Sequence, residues 1–186
     1  MRVCRPIIVT GFMGSGKTTV AQALAHIWQC EMIDLDRFIT ERTGRNPKEI
    51  IEQDGEPAFR QVETSLLSEV LKNGGAQVIA LGGGAWTILE NRALIAEHQG
   101  QSVWLDVPFE VCWQRITGSV GERPLARDRE QARRLYDRRK PIYELAALRV
   151  AGNDTVSGEE AASRIANELA QSGFGTEKDS PVRPEV

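Results

Sequence analysis

An octapeptide near the start of the chain has the clearest chemical signature. Residues 11–18, GFMGSGKT, fit the pattern G-x-x-x-x-G-K-[ST], whose backbone N–H groups converge on a phosphate. An apolar run precedes the segment and a helical pattern follows it, as such a loop requires. In this arrangement Lys17 reaches the β- and γ-phosphates of a nucleotide, and the Thr18 hydroxyl ligates Mg²⁺. The alternative is a glycine-rich turn that caps a helix and binds no ligand.

Two carboxylates end the second strand-like run. Asp34 and Asp36 stand where a parallel sheet opens toward its ligand crevice. One of them is suited to face a metal ion and the other a substrate hydroxyl. The alternative is that one of them only caps the helix that begins near Arg37.

Three consecutive glycines, Gly82–Gly84, follow another strand-like run. Glycine loses much backbone entropy on folding, so a triplet indicates close approach of a ligand to the backbone, or positive φ angles. A plain tight turn is the alternative.

Several arginines are candidates for binding anions. Arg60 and Glu63 are three residues apart on a predicted helix and therefore share a face. They form either a surface ion pair or a site in which the glutamate orients the guanidinium toward a substrate carboxylate. Arg139 is a candidate for the same anion. Arg123, in a loop with little apolar periodicity, is suited to meet a transferring phosphoryl group if that loop closes. From Arg115 to Lys140 there are nine basic and four acidic residues; a solvated helix face is the alternative explanation for each arginine.

The elements that position these residues alternate between strand and helix. The five strand-like runs are Pro6–Thr10, Met32–Asp34, Gln77–Leu81, Ser102–Asp106 and Leu148–Ala151. This alternation predicts an α/β fold, a five-stranded parallel sheet with helices on both faces. We expect residues 1–172 to form a single domain, with a helical substrate-binding insert at about 37–73 and a mobile lid at about 119–130. Residues 173–186 lack an apolar pattern and are expected to be a disordered tail.

Local signals predict where several helices begin. Asn46-Pro47 and Gly55-Glu56 each precede a helical pattern, and Thr87–Glu90 and Ser157–Glu160 fit the capping box. Asp106, just ahead of Pro108, is interpreted as a helix cap, which leaves Asp34 as the preferred metal ligand.

Composition excludes several classes of protein. The chain has 186 residues, a net charge of -3 and no apolar stretch long enough to cross a bilayer, so we expect neither nucleic-acid nor membrane binding. Three cysteines without a C-x-x-C pair suit reduced thiols in the cytoplasm.

Taken in order, the motifs resemble those of shikimate kinases over about residues 5–170. The matching segments are GFMGSGKT (11–18), DLD (34–36), GEPAFRQVE (55–63), GGG (82–84), RPL (123–125) and RRKPIY (138–143). Many families share the phosphate loop, but the F-R-x-x-E element together with the triple glycine is more specific.

The resemblance implies a P-loop fold like that of nucleoside monophosphate kinases, with ATP as co-substrate and Mg²⁺ as cofactor. It implies transfer of the γ-phosphoryl group to the 3-hydroxyl of shikimate, a step of aromatic amino acid biosynthesis, by a cytoplasmic enzyme that we expect to be a monomer. The alternatives are another small-molecule kinase of this fold, acting on gluconate, adenylyl sulfate or a nucleoside monophosphate, or an ATP-binding regulatory module without transfer activity.

The same resemblance assigns roles to residues. The nucleotide-binding residues are expected to be Gly14, Ser15, Gly16, Lys17, Thr18, Thr19, Arg115, Arg123 and Asn153. The shikimate-binding residues are expected to be Asp36, Arg60, Glu63, Gly82, Gly83, Gly84 and Arg139. Lys17, Asp36 and Arg123 are expected to be catalytic, and Thr18 and Asp34 to serve the metal.

Overall fold

A computed structural model describes residues 5–118 and 128–172 of the chain. The predicted lid lies largely outside the described residues, because residues 119–127, Arg123 among them, are not part of them. The predicted tail, residues 173–186, also lies outside them.

The five predicted strands form one parallel sheet, which confirms the predicted fold class. They are β1 (Ile7–Thr10), β2 (Met32–Asp34), β3 (Val78–Ala80), β4 (Gln101–Asp106) and β5 (Leu148–Ala151). Their order across the sheet is β2-β3-β1-β4-β5, so the strand that leads into the phosphate loop is central. Ile8 of β1 is in register with Ile79 on one side and Ser102 on the other. The loops after β1, β2 and β3 therefore emerge side by side at one edge of the sheet.

Helices connect and cover the strands. Their bounds are α1 (Lys17–Trp28), α2 (Leu35–Thr43), α3 (Pro47–Asp54), α4 (Glu56–Asn73), α5 (Leu89–Glu97), α6 (Phe109–Thr117), α7 (Arg129–Tyr143) and α8 (Gly158–Gln171). A short 3₁₀ helix, Ala85–Thr87, precedes α5. Helices α2, α3 and α4 form the predicted helical insert, and α4 packs against both α2 and α3.

The core lies around the central strands. Every residue of β1 and of β3 is buried, whereas β5 at the sheet edge buries only Val150. Helix α1 packs against α8 and against β1 and β3. Removing apolar surface from water stabilises the folded state by about 25 cal/mol per Å². This core is therefore the main source of stability. The fully buried β1 is consequently a firm base for the loop that follows it.

Most of the predicted helix starts are confirmed. Asn46 and Glu49 form a reciprocal capping box at the start of α3, and the Ser157 hydroxyl accepts from the backbone N–H of Glu160. The capping box predicted at Thr87–Glu90 is wrong. Helix α5 begins at Leu89 after Ile88, and the Thr87 hydroxyl instead donates to the Gly84 carbonyl at 2.6 Å.

The prediction that Asp106 caps a helix is also wrong. Helix α6 begins at Phe109 after Pro108, with no side-chain cap. The Asp106 carboxylate instead accepts a hydrogen bond from Nε of Arg149 at 2.9 Å, from strand β5. Arg149 is paired with Trp104, two residues before Asp106, on the adjacent parallel strand, so its long side chain reaches the carboxylate, which the linear sequence does not reveal.

No helix within residues 5–118 and 128–172 combines the length and the apolar character that crossing a bilayer needs.

Candidate active site

The phosphate loop is a compact turn between β1 and α1. Gly16 is the N-cap of α1 in the left-handed region, at φ 90°, and α1 begins at Lys17. Gly14 has φ 78°, and a β-carbon there would lie 2.6 Å from the carbonyl oxygen of Cys112 in α6, so only glycine fits. The Lys17 ammonium donates to the Phe12 carbonyl at 2.9 Å. The lysine therefore bends back over the loop, toward the space that a phosphate would enter.

Thr18 and Asp34 lie together, as the metal prediction requires. The Thr18 hydroxyl donates to Oδ2 of Asp34 at 2.6 Å, while Oδ1 accepts from the backbone N–H of Arg37 at 3.2 Å. Asp34 is thus the N-cap of α2. Of the two carboxylates considered for that role, Asp34 is the one that caps the helix.

This pair is a suitable partial site for Mg²⁺. Within residues 5–118 and 128–172 there is no cluster of three or more acidic, histidine or cysteine side chains that could bind a metal by itself. Mg²⁺ commonly takes only one or two protein oxygens and completes its shell with water and substrate phosphates. One hydroxyl and one carboxylate beside a phosphate loop fit that chemistry.

A cavity of about 290 Å³ brings together the seven residues that were expected to bind shikimate. We call it the arginine cavity. Its lining residues are Met13, Asp36, Asn46, Pro47, Lys48, Ile51, Phe59, Arg60, Glu63, Gly82, Gly83, Gly84 and Arg139. They come from the phosphate loop, from α2, α3 and α4, from the loop after β3 and from α7. Met13 belongs to the phosphate loop, so the cavity borders the expected phosphate position.

Arg60 is neutralised by carboxylates of its own helix. It donates to Glu63 at 2.7 Å and to Glu56 at 3.0 Å. Burial alone would lower the pKa of Arg60, but the Glu63 and Glu56 carboxylates raise it overall. The alternative of a surface ion pair does not apply to Glu63, because its side chain is fully buried.

Arg139 is buried without an ion pair among the described residues. It is 6% exposed and donates to the Gly83 carbonyl at 3.1 Å. Burial lowers its pKa, although an arginine remains protonated at neutral pH. A solvated helix face therefore does not explain Arg139, and its charge is directed into the arginine cavity.

The triple glycine is explained by close approach of side chains. A β-carbon on Gly82 would lie 2.6 Å from Oδ1 of Asp36, and one on Gly84 would overlap the guanidinium of Arg60. None of the three glycines has a positive φ, so the alternative based on backbone conformation does not hold. Larger residues would push Asp36 and Arg60 out of the arginine cavity.

A second cavity, of about 190 Å³, lies on the other side of the phosphate loop. We call it the loop cavity. Ser15, Gly16, Thr19, Arg115 and Asn153 line it together, as was predicted for a nucleotide site. The Arg115 guanidinium donates to the Gly14 carbonyl at 3.4 Å and to the Asn153 carbonyl at 3.1 Å. Arg115 thus connects the phosphate loop to the segment after β5.

Sequence reasoning did not identify several walls of the two cavities. The loop cavity has an apolar wall formed by Leu105, Val107, Val150 and Val156, and the arginine cavity includes Asn46, Lys48, Ile51 and Phe59. The apolar wall was foreseeable, since residues at the carboxyl ends of β4 and β5 must face the ligand crevice. The position of the other four residues, in the arginine cavity, depends on how α3 packs on α4. The sequence has no local signal for that packing.

Glu63 is the titrating group of the arginine cavity. Burial raises its pKa from an ordinary 4.5 to about 7; the Arg60 charge opposes this shift and the Asp36 carboxylate adds to it. Within the described residues its Oε1 atom has no hydrogen-bond partner. A half-paired, buried carboxylate of this kind binds a proton more readily in the folded protein than in the unfolded chain.

We predict a stability change with pH that depends on Glu63. Because folding raises its pKa, its proton contributes stability that is fully present below about pH 4.5 and is lost as the pH rises through about 7. The free energy of unfolding of the wild type, minus that of Glu63→Gln, should therefore fall over this range. Urea unfolding at several pH values from 5 to 8 measures it. The control, Glu56→Gln, removes the other carboxylate on Arg60 and should follow the wild type with a constant offset. Parallel profiles for all three proteins would contradict the prediction.

Comparison with known proteins gives a consistent result. A family model described as shikimate kinase matches residues 13–170. A shikimate kinase of Cereibacter sphaeroides is 39% identical over 91% of this chain and 84% of that protein. One of Enterococcus faecalis is 37% identical over 89% of this chain and 98% of that protein.

Solved structures agree with this comparison. The shikimate kinase of Acinetobacter baumannii, in complex with shikimate, superposes with a TM-score of 0.83 at 32% identity, covering 92% of this chain and 96% of that one. A gluconokinase of Sinorhizobium meliloti superposes with a TM-score of only 0.57 at 16% identity, a likeness of fold alone.

Proposed function

This chain belongs to the shikimate kinase family, and we propose that it transfers the γ-phosphoryl group of ATP to the 3-hydroxyl of shikimate. The observation that carries the proposal is the arrangement of the two cavities on either side of one phosphate loop. Met13 lines the arginine cavity, while Ser15 and Gly16 line the loop cavity. An acceptor in the first cavity and a nucleotide in the second would meet at the loop.

The charges of the arginine cavity suit a small hydroxylated carboxylate. Arg60 and Arg139 supply two guanidiniums, the side-chain type that binds carboxylates through paired hydrogen bonds. Asp36, against Gly82, supplies an acceptor for a hydroxyl proton. We propose that the two arginines bind the shikimate carboxylate and that Asp36 orients the reacting hydroxyl.

The phosphate loop provides the charge stabilisation that phosphoryl transfer needs. Lys17 would bind the β- and γ-phosphate oxygens, and the N–H groups at the start of α1 would face the phosphates. We propose Mg²⁺ at Thr18 and Asp34, where it would neutralise charge on the phosphate oxygens. Arg123 is proposed from the sequence resemblance alone to contact the transferring group, since it lies outside the described residues.

The remaining proposals rest on the sequence. We propose a monomeric enzyme, as expected at the level of the sequence. Three cysteines without a C-x-x-C pair support action in the cytoplasm, and the acidic net charge supports the absence of nucleic-acid binding.

An acceptor screen tests the proposed reaction. ADP release from ATP and Mg²⁺ would be measured with shikimate, its methyl ester, gluconate, adenylyl sulfate and AMP. We expect shikimate to have the highest kcat/KM, and the methyl ester to be at least about 10²-fold poorer, because it leaves the buried guanidiniums unpaired. A higher kcat/KM with gluconate or AMP, or ADP release that no acceptor stimulates, would overturn the proposal.

A further inference from the structure

The two arginines of the arginine cavity are stabilised in different ways. Arg60 forms ion pairs with Glu63 and Glu56, so its charge is already compensated within α4. Arg139, by contrast, forms no ion pair in the part of the chain that the structure describes. Its described hydrogen-bond acceptor is neutral, the Gly83 carbonyl, and the Tyr143 hydroxyl donates to the same oxygen.

Tyr143 is one helical turn after Arg139 on α7, so the two side chains share a face of that helix. The Tyr143 side chain is 1% exposed, and its hydroxyl donates to the Gly83 carbonyl. Arg139 donates to the same carbonyl oxygen, which therefore receives both side chains. Arg139 and Tyr143 therefore converge on one oxygen, the Gly83 carbonyl, at the wall of the arginine cavity.

The Tyr143 ring has little freedom to move. It stacks on Trp104 of strand β4, with ring centroids 6.3 Å apart and an angle of 23° between the planes. The preceding residue of α7 is also fixed, because the Trp86 indole N–H donates to the Ile142 carbonyl at 3.0 Å. Trp86 lies in the 3₁₀ helix that follows the triple glycine. The end of α7 is thus fixed to the sheet and to the glycine segment.

We propose that Tyr143 is a positioning residue. By holding the Gly83 carbonyl, to which Arg139 also donates, it orients the Arg139 guanidinium for the substrate carboxylate without cancelling its charge. A carboxylate in the place of this carbonyl would hold the guanidinium equally well, but it would compete with the substrate anion. A neutral acceptor leaves the full positive charge for the ligand. Because Arg139 is fixed before binding, less side-chain entropy is lost when the substrate carboxylate pairs with it.

The inference rests on the proposed function and assigns the two arginines different tasks. Arg139 forms no described ion pair, and its charge, on which Glu56 and Glu63 act only at longer range, attracts and fixes the carboxylate. Arg60, which pairs with Glu56 and Glu63, contributes hydrogen-bond donors and less net charge than Arg139. Tyr143 acts only through Arg139 and touches neither the nucleotide nor the reacting hydroxyl.

The test is Tyr143→Phe, which keeps the ring and its stacking and removes only the hydroxyl. We expect the KM for shikimate to rise about tenfold, with the KM for ATP unchanged and kcat changed less than about threefold. The matched control is Tyr136→Phe in the same helix. Tyr136 is also buried, and its hydroxyl donates to a backbone carbonyl, that of Val107, at 3.1 Å. We expect both of its KM values to stay near those of the wild type.

A double-variant cycle separates positioning from a general structural effect. Arg139→Lys keeps the charge but loses the planar fork, so its shikimate KM should also rise about tenfold or more. Adding Tyr143→Phe to Arg139→Lys should then raise it less than twofold further, because the hydroxyl acts through the guanidinium. Assays run well below the thermal midpoint of each variant, checked by circular dichroism, so that only folded protein is compared.

Two results would overturn the inference. One is an unchanged shikimate KM in Tyr143→Phe, and the other is a tenfold effect of that change in the Arg139→Lys background as well. Failure of the proposed function would look different, because the wild type itself would then show no shikimate-dependent release of ADP.

Discussion

Replacing Lys17 with alanine is expected to lower turnover by about 10³-fold or more while leaving the fold intact. The ammonium lies at the first turn of α1, bent over the phosphate loop within 2.9 Å of the Phe12 carbonyl. In phosphoryl transfer such a cation stabilises charge that develops in the transition state, an effect that no other side chain of the loop replaces. The loop itself is stabilised by its glycines and by its packing on α6, so the substitution should not disturb it.

The measurement is steady-state ADP release with shikimate, together with circular dichroism and a thermal midpoint. Lys72→Ala serves as the control, because Lys72 is an exposed lysine in the last turn of α4. It removes the same charge from the chain and should retain wild-type turnover. Near-normal turnover in Lys17→Ala would refute the assignment of the phosphate loop.

The second large effect is expected for Asp36→Asn, which should lower turnover of bound substrate by about 10²-fold or more. Asp36 lies in the first turn of α2, and Oδ1 would be only 2.6 Å from a β-carbon on Gly82. The amide can still hydrogen-bond to the substrate, but it carries no charge and cannot accept a proton. Shikimate affinity should therefore fall much less than turnover.

This prediction needs binding and chemistry to be measured separately. Calorimetric titration gives shikimate affinity, and single-turnover experiments with saturating ATP give the rate of the bound complex. The control is Asp54→Asn, which removes a carboxylate from the end of α3, where it pairs with Arg45 at 2.8 Å. If Asp36→Asn lost shikimate binding but preserved the rate of the bound complex, the role of Asp36 in orienting the hydroxyl would be wrong.

The phosphate loop, the five strands and the helical insert were predictable because each depends on residues close together in the chain. A glycine-rich turn between an apolar run and a helical pattern is a local signal. Strand and helix alternation implies a parallel sheet, since parallel strands need crossover connections. Even the candidate residues of the arginine cavity could be named, because each follows a strand end or belongs to a motif of the resemblance.

Local signals gave two wrong predictions of helix caps. In each, the polar side chain could bond either to the start of a helix or to another group. Thr87-Ile88-Leu89-Glu90 matches a capping box, yet the Thr87 hydroxyl bonds to Gly84 because the chain first turns through a 3₁₀ helix. Asp106 was interpreted as a cap, yet Arg149 of the neighbouring strand reaches it. In both cases the hydrogen-bond partner depends on the path of the chain in space and not on the spacing of residues in the sequence.

The sequence by itself determined that this chain has a phosphate loop in an α/β fold and which charged residues accompany it. Only the tertiary structure decided how those charges are compensated. Glu63 has a pKa raised to about 7 because the packing of α4 buries it, and Arg139 is left with neutral partners because α7 ends beside Gly83. Burial and charge pairing depend on which distant segments meet, and this is why identical residue types, Arg60 and Arg139, have different electrostatic surroundings in one cavity.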